Sequence, residues 1–589
     1  MASWSRVEKD SGLSVEKMDT IGATGPLQQG EPEPAPEPEP APAPAEPVMA
    51  AAGRGRVALG RFAAVSSVIL VFVALILPNA FSRLTMPSGW LRLPVEGILG
   101  VLLLLILPAR ARRATAAVLG VVLGVLSIIK LIDMGFLTSL GRPFDPVLDW
   151  VLADDAYGFV VDSAGRGGAI AAAIGVVVLA VAVLCLLTAA VLRSASLVVR
   201  HRTTAFRSVA VLAVVWLALA AFGVQFHRGV PVAARSTSTY AYDRAWQVRA
   251  GIQDQDKFAA EAAVDAFRDV PGDKLLTALR GKDVIVSFVE SYGRSAIEDP
   301  AMAEQVGAVL NTGNRRLGTA GFGARSGWLT SPTTGGGSWL AHSTFFSGLW
   351  INNQQRYRTL TASDRLTLPS AFGRANWRTV GVEPGNTKAW PEGEFYGYDT
   401  VYDSRNLGYR GPKFSWSKMP DQYALSAFDR LEYRKAQRGP LMADITLTSS
   451  HTPWAPIPRT VPWAEIGDGS IYTDIAREGK RAKTIWKDPV KVRAEYRKSI
   501  GYSLNSLVSY VQNFGNDNLV MIILGDHQPS PIVVGEGASR DVPIAIVSHD
   551  PAVLAKTSSW GWSDGLKPAP EAPVWPMNQF RDRFLTTFR

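Results

Sequence analysis

Five long apolar stretches dominate the first 230 residues of the chain, at residues 62–82, 93–109, 115–136, 169–192 and 208–226. A helix needs about 20 apolar residues to cross the hydrocarbon core of a bilayer. Each stretch reaches this length or nearly so, although the second is short and contains Glu96. Buried helices of a soluble protein are the alternative, but a soluble core rarely needs five such runs with so few charges between them. The pattern predicts an α-helical transmembrane domain of five spans over residues 57–228.

A polar segment, residues 1–56, precedes the first apolar stretch and begins without an apolar signal sequence. Between Glu31 and Pro47 it reads EPEPAPEPEPAPAPAEP. Proline alternating with Glu and Ala cannot build a core and favours an extended, solvated polyproline II conformation. We expect a disordered cytoplasmic tail, with a binding motif as the alternative role.

The charges around the apolar stretches predict their orientation, because cytoplasmic loops are enriched in Lys and Arg. Arginines lie before the first stretch, between the second and third, and between the fourth and fifth. The connection between the third and fourth stretches is acidic instead, with five aspartates. Five crossings then place the N-terminus in the cytoplasm and everything after His227 outside it, as in a multi-pass protein of the cell membrane. Much of the net charge of +9 thus comes from basic residues that orient the membrane spans. We therefore expect no nucleic-acid partner.

After a helical juxtamembrane connector, predicted over residues 229–275, residues 276–589 have the composition of a globular domain. Short β-branched runs in this part end in polar residues: Val284–Glu290, Thr379–Glu383, Leu441–Leu447, Leu519–Leu524 and Val542–Val547. Continuous apolar runs are typical of strands buried on both faces of a parallel sheet. Helical patterns lie between them, the clearest formed by Tyr496, Ile500, Leu504, Leu507 and Val511. The alternation predicts a doubly wound α/β domain.

Three of these runs are followed by residues that could bind a ligand. Glu290 follows the first run, His451 lies shortly after the third, and Asp526 and His527 follow the fourth. In parallel sheets, ligands bind at the carboxyl ends of the strands. Glu290, Asp526 and His527 offer the oxygen and nitrogen ligands that suit Mn²⁺, Mg²⁺ or Zn²⁺. We therefore expect one divalent cation at this edge.

A glycine-rich loop, Thr333–Ser338 (TTGGGS), precedes a helix predicted to begin near Trp339. A serine at a helix N-terminus lies where backbone amides and the helix dipole stabilise a phosphate or an alkoxide. Facing a cation, the Ser338 hydroxyl would lose its proton more easily and become a nucleophile. His451 could donate a proton to a leaving group. The non-catalytic alternatives are a helix cap for Ser338 and a loop histidine for His451.

Four segments together resemble one enzyme family. FVESYGRS around Glu290, the glycine loop at Ser338, TLTSSHTPW at His451 and LGDHQPS at Asp526 are similar to motifs of the lipoteichoic acid synthase branch of the alkaline phosphatase superfamily. These phosphoglycerol transferases, loosely called sulfatases, have five membrane spans before an extracytoplasmic catalytic domain. The resemblance covers residues 57–589. It implies that the C-terminal domain is an α/β sandwich of the alkaline phosphatase and sulfatase type.

The resemblance also implies roles for these residues. Glu290, Asp526 and His527 would bind the metal together with Ser338, Mn²⁺ being the family's usual ion. The nucleophile, a threonine in most relatives, falls on Ser338, with Thr334 as the runner-up because glycine-rich loops align loosely. His451 corresponds to the family's active-site histidine.

The family binds its glycerophosphate head group with a tryptophan and nearby basic residues. Trp390 resembles that tryptophan, but the positions matching the basic partners are Glu383 and Glu392. Two carboxylates would repel a phosphate and suit an amine or a sugar polyol, so we expect a head group other than plain phosphoglycerol. His342, on the helix after Ser338, is a further candidate for substrate contact, with packing or support of the site as the more ordinary role for a histidine there.

Sulfatase chemistry through an oxidised residue is not expected. It needs a Cys or Ser followed by Pro or Ala two residues on and by Arg four residues on, whereas Ser338 is followed by Trp-Leu-Ala-His. Cys185 is the only cysteine and lies in a predicted span. Because a disulfide or a cysteine zinc site needs more than one cysteine, both are excluded. An unmodified serine fits phosphoryl transfer better.

The sequence thus predicts a membrane-anchored, metal-dependent phosphotransferase that forms a phospho-enzyme on Ser338. Its expected partners are a membrane lipid or lipid-linked donor and an envelope glycopolymer acceptor. A phosphodiesterase or other ester hydrolase of the same fold is one alternative, since only the competition between water and acceptor separates the two. A catalytically silent protein that binds envelope polymers is the other.

Overall fold

The computed structural model describes residues 49–227, 230–414 and 416–589. The described chain divides into two units, with the boundary between Arg61 and Phe62. Most of the predicted tail lies outside the described residues. The first helix, α1 (Met49–Ile76), starts inside the range predicted as tail.

The N-terminal region is helical, with α1 followed by α2 (Val95–Ile106), α3 (Ala109–Leu140), α4 (Leu152–Arg200) and α5 (Arg202–Ala221). Four helices among the described residues are long and apolar enough to cross a membrane: Leu59–Ile76, Ala109–Leu140, Ala164–Arg200 and Arg202–Ala221. With 12 residues, α2 is about 18 Å long, which is shorter than a bilayer core. Four of the five predicted spans therefore coincide with helices of spanning length, and the second stays a prediction. The chain then continues into α6 (Ser236–Ala263), where the helical connector was predicted.

The C-terminal region is built on a nine-stranded mixed sheet. Its strands are β1 (Asp283–Val289), β2 (Gly323–Thr330), β3 (Arg378–Glu383), β4 (Thr400–Asp403), β5 (Leu441–Leu447), β6 (Leu519–Gly525), β7 (Asp541–Ser548), β8 (Ser563–Asp564) and β9 (Val574–Pro576). The order is β8-β2-β7-β6-β1-β5-β3-β4, with β9 beside β2. All five predicted strands are present.

The sheet is only partly parallel, which corrects the expectation of a parallel doubly wound sheet. The block β6-β1-β5-β3-β4 is parallel throughout. Beyond it, β7 runs antiparallel to both β6 and β2. The direction of β7 was predicted wrongly from its uniformly apolar run. A strand buried on both faces has this pattern whether it runs parallel or antiparallel to its neighbours.

Helices cover both faces of the sheet. The longer ones are α7 (Ala303–Thr319), α8 (Ser338–Ser347), α9 (Asp421–Phe428), α10 (Pro489–Phe514) and α11 (Phe580–Thr587). Shorter helices include Ser295–Glu298, Gln354–Thr361, Leu368–Arg374, Gly393–Tyr396, Tyr472–Glu478, Ala482–Ile485, Pro531–Val534 and Pro551–Lys556. The start of α10 is well defined, because Pro489 occupies its first turn and the Asp488 side chain accepts a hydrogen bond from the Val490 N–H.

Alternate residues of β1 enter two separate cores. Val284, Val286 and Phe288 pack with α8 and α11 on one face. Ile285 and Val289 pack with α7 and α10 on the other. A strand buried on both faces cannot slip in register without moving every side chain to the wrong core. This fixes the end of β1, and with it the position of Glu290.

Candidate active site

The carboxyl ends of β1 and β6 bring Glu290, Asp526 and His527 together. The two strands are adjacent and parallel, with Val289 opposite Gly525, so the residues that follow them meet at one edge. One ligand atom from each of the three side chains lies within 4.8 Å of the others. All three residues are buried.

The turns after the two strands are closely packed and hydrogen-bonded. A Cβ at Gly525 would lie 1.8 Å from the Tyr292 carbonyl oxygen, so only glycine fits there. Asp526 Oδ1 accepts hydrogen bonds of 2.7 Å from the backbone N–H groups of Ser291 and His527. The Ser291 hydroxyl donates to Glu290 Oε1 at 2.6 Å. Both carboxylates are thereby held in fixed orientations.

Ser338 reaches this cluster from the N-terminus of α8. Its hydroxyl donates to Glu290 Oε2 at 2.9 Å, and His527 Nε2 lies 3.2 Å from the same oxygen. Gly337 precedes the helix with φ of +81°, a conformation that suits glycine. The serine hydroxyl therefore lies beside two proton acceptors and at the positive end of a helix dipole.

The hydrogen bonds of His527 fix its tautomer. Nδ1 lies 2.8 Å from the Gln528 carbonyl oxygen. Because a carbonyl oxygen only accepts, Nδ1 carries the hydrogen, so in the neutral imidazole the lone pair of Nε2 faces Ser338 and the two carboxylates. Burial acts to lower the pKa of His527, but the charges of Asp526 and Glu290 raise it above its usual value. In this tautomer Nε2 can accept a proton or bind a cation.

The electrostatics of the cluster fit a divalent cation. Burial works to raise the pKa of Glu290, but the charges of His527 and His451 and the Ser291 hydroxyl lower it. Burial and the Glu290 charge raise the pKa of Asp526. Asp526 Oδ2 is buried and has no hydrogen-bond partner among the described residues. An unpaired carboxylate oxygen beside a second carboxylate and an imidazole lone pair is a donor set that a cation would satisfy.

The glycine loop brings Ser338, and not Thr334, to the cluster. Thr334 forms a backbone bridge with Gln528, and the Gly335 N–H donates to the Gln528 carbonyl at 2.8 Å. The Ser331 hydroxyl donates to the Asp526 carbonyl at 2.6 Å. These bonds tie the loop to the segment after β6. Ser338 thus contacts Glu290 and His527, whereas Thr334 pairs with Gln528, and the role of either residue as nucleophile stays a prediction.

The same loop lies against the C-terminal end of α3. A Cβ at Gly335, where φ is +73°, would lie 2.2 Å from the Ser139 carbonyl oxygen. Nearby, the Ser530 hydroxyl donates to the Thr138 carbonyl at 3.0 Å. A helix of the N-terminal region therefore forms part of the wall around the loop that carries Ser338.

His451 lies beside Glu290 and is held by an aromatic stack. The preceding hydroxyl, that of Ser450, donates to the Glu290 carbonyl at 2.6 Å. The imidazole stacks on Trp416, with ring centroids 3.7 Å apart, and Nδ1 is bonded to the Thr452 carbonyl. Burial lowers the pKa of His451, although the Glu290 charge acts to raise it. The neutral form, with a free Nε2 lone pair, is therefore favoured at pH 7.

Trp390 and Glu392 do not contact the cluster. The Trp390 ring lies 5.3 Å from that of Tyr396, and its Nε1 donates a 3.5 Å hydrogen bond to the Tyr357 hydroxyl. Tyr396 in turn is 2.7 Å from Ser343 on α8. Glu392 is exposed at the start of a short helix. For both residues, substrate contact stays a prediction.

Glu383 forms a buried acidic pair with Asp444. It ends β3, at the same edge of the sheet as Glu290, and accepts a 3.0 Å hydrogen bond from Thr446. Burial and the Asp444 charge raise the pKa of Glu383 well above its usual range. Burial raises the pKa of Asp444 to about 7, although Tyr398 donates to it at 2.7 Å. The raised pKa favours the protonated, neutral form of Glu383 over the carboxylate.

His342 packs against the sheet one turn after Ser338. Its ring stacks on Phe288 with centroids 3.8 Å apart, and burial lowers its pKa to about 3. Its Nε2 is buried and has no hydrogen-bond partner among the described residues. These are the surroundings of a packing side chain, and substrate contact by His342 stays a prediction.

Three residues of this region were not identified from the sequence. Ser291 lies directly after a predicted ligand, and this position could have marked it. Asp444 is inside a strand, and Trp416 is far from His451 in sequence, so neither carries a local signal.

No family model matches the chain, and no curated protein matches it.

The chain is similar to solved structures of the kind that its motifs resemble. One is the lipoteichoic acid synthase LtaP from Listeria monocytogenes, at 15% identity over 50% of this chain and 70% of that one, with a TM-score of 0.31. The C-terminal periplasmic domain of EptC from Escherichia coli, in complex with Zn, has 12% identity over 51% and 80%, with a TM-score of 0.34. The phosphoglycerol transferase GacH from Streptococcus pyogenes, in complex with sn-glycerol-1-phosphate, has 12% identity over 57% and 90%, with a TM-score of 0.33. At these scores the likeness assigns no activity, so function must be argued from the site.

Proposed function

We propose that the protein is a membrane-anchored, metal-dependent phosphotransferase that acts outside the cytoplasm on lipid-linked or envelope phosphodiester head groups. The observation that carries this proposal is the position of the Ser338 hydroxyl, which lies at a helix N-terminus in contact with both Glu290 and His527. The four apolar helices support the membrane anchor, and the arginines at their ends support an extracytoplasmic catalytic domain.

Glu290, Asp526 and His527 would hold the cation, with the Ser338 oxygen beside them. A bound Mn²⁺, Mg²⁺ or Zn²⁺ supplies Lewis acidity, which lowers the pKa of a serine hydroxyl and offsets the negative charge of a phosphodiester. Ser338 opens α8, and the positive end of the dipole of this helix would stabilise phosphate oxygens there.

In the first half-reaction, Ser338 Oγ attacks the phosphorus of the donor. The new bond joins Oγ to phosphorus, the bond from phosphorus to the lipid oxygen breaks, and the serine proton passes to Glu290 Oε2, which the hydroxyl already contacts. The departing lipid alkoxide takes a proton from the imidazolium form of His451, which is the less populated form at pH 7 because burial lowers the pKa of this residue. The product on the enzyme is a phosphodiester of Ser338.

In the second half-reaction, the hydroxyl of an acceptor attacks the same phosphorus and releases Ser338. Neutral His451, with its Nε2 lone pair free, accepts the proton of that hydroxyl, and Ser338 Oγ regains its own. The lowered pKa of His451 suits this proton acceptance at pH 7. Water in place of the acceptor would make the same site a phosphodiesterase.

A sugar or other polyol is the head group that the site chemistry favours. Glu383 lies at the same edge of the sheet as Glu290, and its raised pKa favours the uncharged acid. A neutral carboxylic acid both donates and accepts hydrogen bonds with hydroxyls, but it offers no charge to an ammonium group. This narrows the amine-or-polyol expectation to the polyol.

The test is mass spectrometry of the full-length protein after incubation with Mn²⁺ and a membrane lipid extract. We expect a head-group adduct on the peptide that contains Ser338, and its mass identifies the transferred group. An adduct that is chased by an added acceptor but not by water supports the transferase, and release by water alone supports the hydrolase. A protein that binds envelope polymers without any adduct or turnover would contradict both.

A further inference from the structure

A cavity of about 660 Å³ lies among the helices of the N-terminal region, away from the candidate active site. The segment between α1 and α2 forms one wall of this cavity. The other walls are the last turns of α5, the start of α6 and Lys130 of α3. Leu140, at the end of α3, borders the glycine loop. Lys130 lies ten residues earlier in the same helix, which is about 15 Å along its axis. The cavity is therefore separate from the Ser338 cluster.

Basic side chains dominate the polar part of this cavity. Arg83, Arg92, Lys130 and Arg235 line it, whereas Asp243 is the one carboxylate among its lining residues in the described part of the chain. None of the four forms an ion pair with a described carboxylate. Glu96 of α2 lies near Arg92 and Lys130 without forming an ion pair with either. Four basic side chains thus face two carboxylates, Glu96 and Asp243, and positive charge stays in excess.

The donors at the cavity also lack hydrogen-bond partners. Lys130 is 2% exposed, and its ammonium group makes a single 3.3 Å hydrogen bond among the described residues, to the Thr237 hydroxyl. Arg92 Nε and Ser236 Oγ are buried and have no partner there. A buried ammonium group with no carboxylate in direct contact is costly, because it has lost its hydration without regaining a charged hydrogen-bond partner.

The remainder of the wall is apolar and lies near the ends of membrane-spanning helices. Leu77 follows α1, Trp216 and Leu219 belong to the end of α5, and Met86 lies between α1 and α2. Such a cavity is complementary to the end of a lipid, because its cationic part suits a charged head group and its apolar part suits the start of the acyl chains.

We propose that this cavity binds the phosphate-bearing head group of an anionic membrane lipid. Phosphate oxygens accept charge-assisted hydrogen bonds, and here they would meet the unmet donors of Lys130, Arg92 and Ser236. The apolar wall would contact the glycerol and the first carbons of the acyl chains. This is a lipid-binding site distinct from the place of phosphoryl transfer.

Native mass spectrometry of the full-length protein in a neutral detergent tests the proposal. The probes are phosphatidylglycerol, phosphatidylcholine and inorganic phosphate. We expect phosphatidylglycerol to bind at about tenfold lower concentration than the zwitterionic lipid, because each charge-assisted hydrogen bond contributes enough for about that factor. Inorganic phosphate should not displace it, because it lacks the apolar part.

Variants locate the site. Lys130→Gln and, on the surface, Arg83→Gln should each weaken phosphatidylglycerol binding about tenfold. Replacing the buried Lys130 could disturb folding, whereas Arg83 is exposed and can be replaced without this effect. Arg207→Gln, an equally exposed arginine at the opposite end of α5, is the matched control and should change nothing.

Three outcomes would overturn the proposal. They are equal binding of the two lipids, unchanged binding in both cavity variants, and displacement by millimolar inorganic phosphate, which would indicate a site for free phosphate instead. Ser338→Ala should retain the lipid. Failure of the proposed phosphoryl transfer and failure of the proposed lipid site can therefore be distinguished, because different variants test them.

Discussion

The hydroxyl of Ser338 donates a 2.9 Å hydrogen bond to Glu290 Oε2 across 48 residues of sequence. One partner begins a helix, and the other follows β1, a strand with a parallel neighbour on each side. The bond holds the Ser338 oxygen at the cluster, beside an acceptor for its proton. Rigid elements on both sides hold this geometry in place.

Replacing Ser338 tests the nucleophile. Ser338→Ala removes the attacking oxygen, so turnover of a phosphodiester lipid should fall by at least about a thousandfold. Ser338→Thr keeps the hydroxyl and should retain measurable turnover and the adduct. Thr334→Ala is the control, because Thr334 contacts Gln528 and not the cluster. Full turnover of Ser338→Ala would exclude this residue as the nucleophile.

Changing Asp526 tests the metal site. Asp526→Asn removes one anionic ligand, and we expect Mn²⁺ affinity, measured by calorimetry on the full-length protein, to fall more than about a hundredfold. Mn²⁺ should raise the melting temperature of the wild type but not of this variant, because only the folded site binds the ion. Asp444→Asn, which removes a buried carboxylate outside the cluster, should keep the Mn²⁺ effect. Turnover that survives exhaustive chelation would contradict the metal requirement.

The pKa of Asp444 predicts a pH-dependent stability. Its folded pKa of about 7 is above its usual value, so the folded state binds a proton that the unfolded state releases. Between pH 4 and pH 7 this group therefore lowers stability progressively as pH rises, and the full cost is present above pH 7. Asp444→Asn should raise the melting temperature by a few degrees at pH 8 and by less at pH 5. A gain that is equal at both pH values would show that the pKa of Asp444 is not raised.

His342 provides a test of packing against substrate contact. His342→Phe keeps the ring over Phe288 and removes an Nε2 atom that has no described partner. We expect the melting temperature to be kept or raised and turnover to stay within about threefold. His342→Ala should lower the melting temperature, because it leaves a cavity under α8. A well-folded His342→Phe protein without turnover would instead assign His342 to substrate binding.

Much of the fold was predictable because its signals are local. Apolar length predicted the membrane helices, and the runs around Val286 and Ile522 predicted central strands. The site followed from one geometric rule, since Glu290 and Asp526 come directly after neighbouring parallel strands. Ser338 needed only a glycine loop and a helix start.

The features that the sequence did not reveal depend on distant contacts. The direction of β7 depends on its neighbours, because its apolar run is the same in either direction. Trp416 becomes part of the site only when the fold stacks it on His451. The protonation of Glu383 likewise depends on burial next to Asp444, which no spacing along the chain expresses.

The contact between Gly335 and the end of α3 means that the N-terminal helices do more than tether the C-terminal domain. A soluble fragment that begins with α6 keeps Phe267, Leu275 and the Asp265 partner of Arg581, but it would lose the surface that supports the loop carrying Ser338. Such a fragment should fold around its two cores yet turn over more slowly than the whole chain, even with a water-soluble substrate for which nearness to the bilayer brings no benefit.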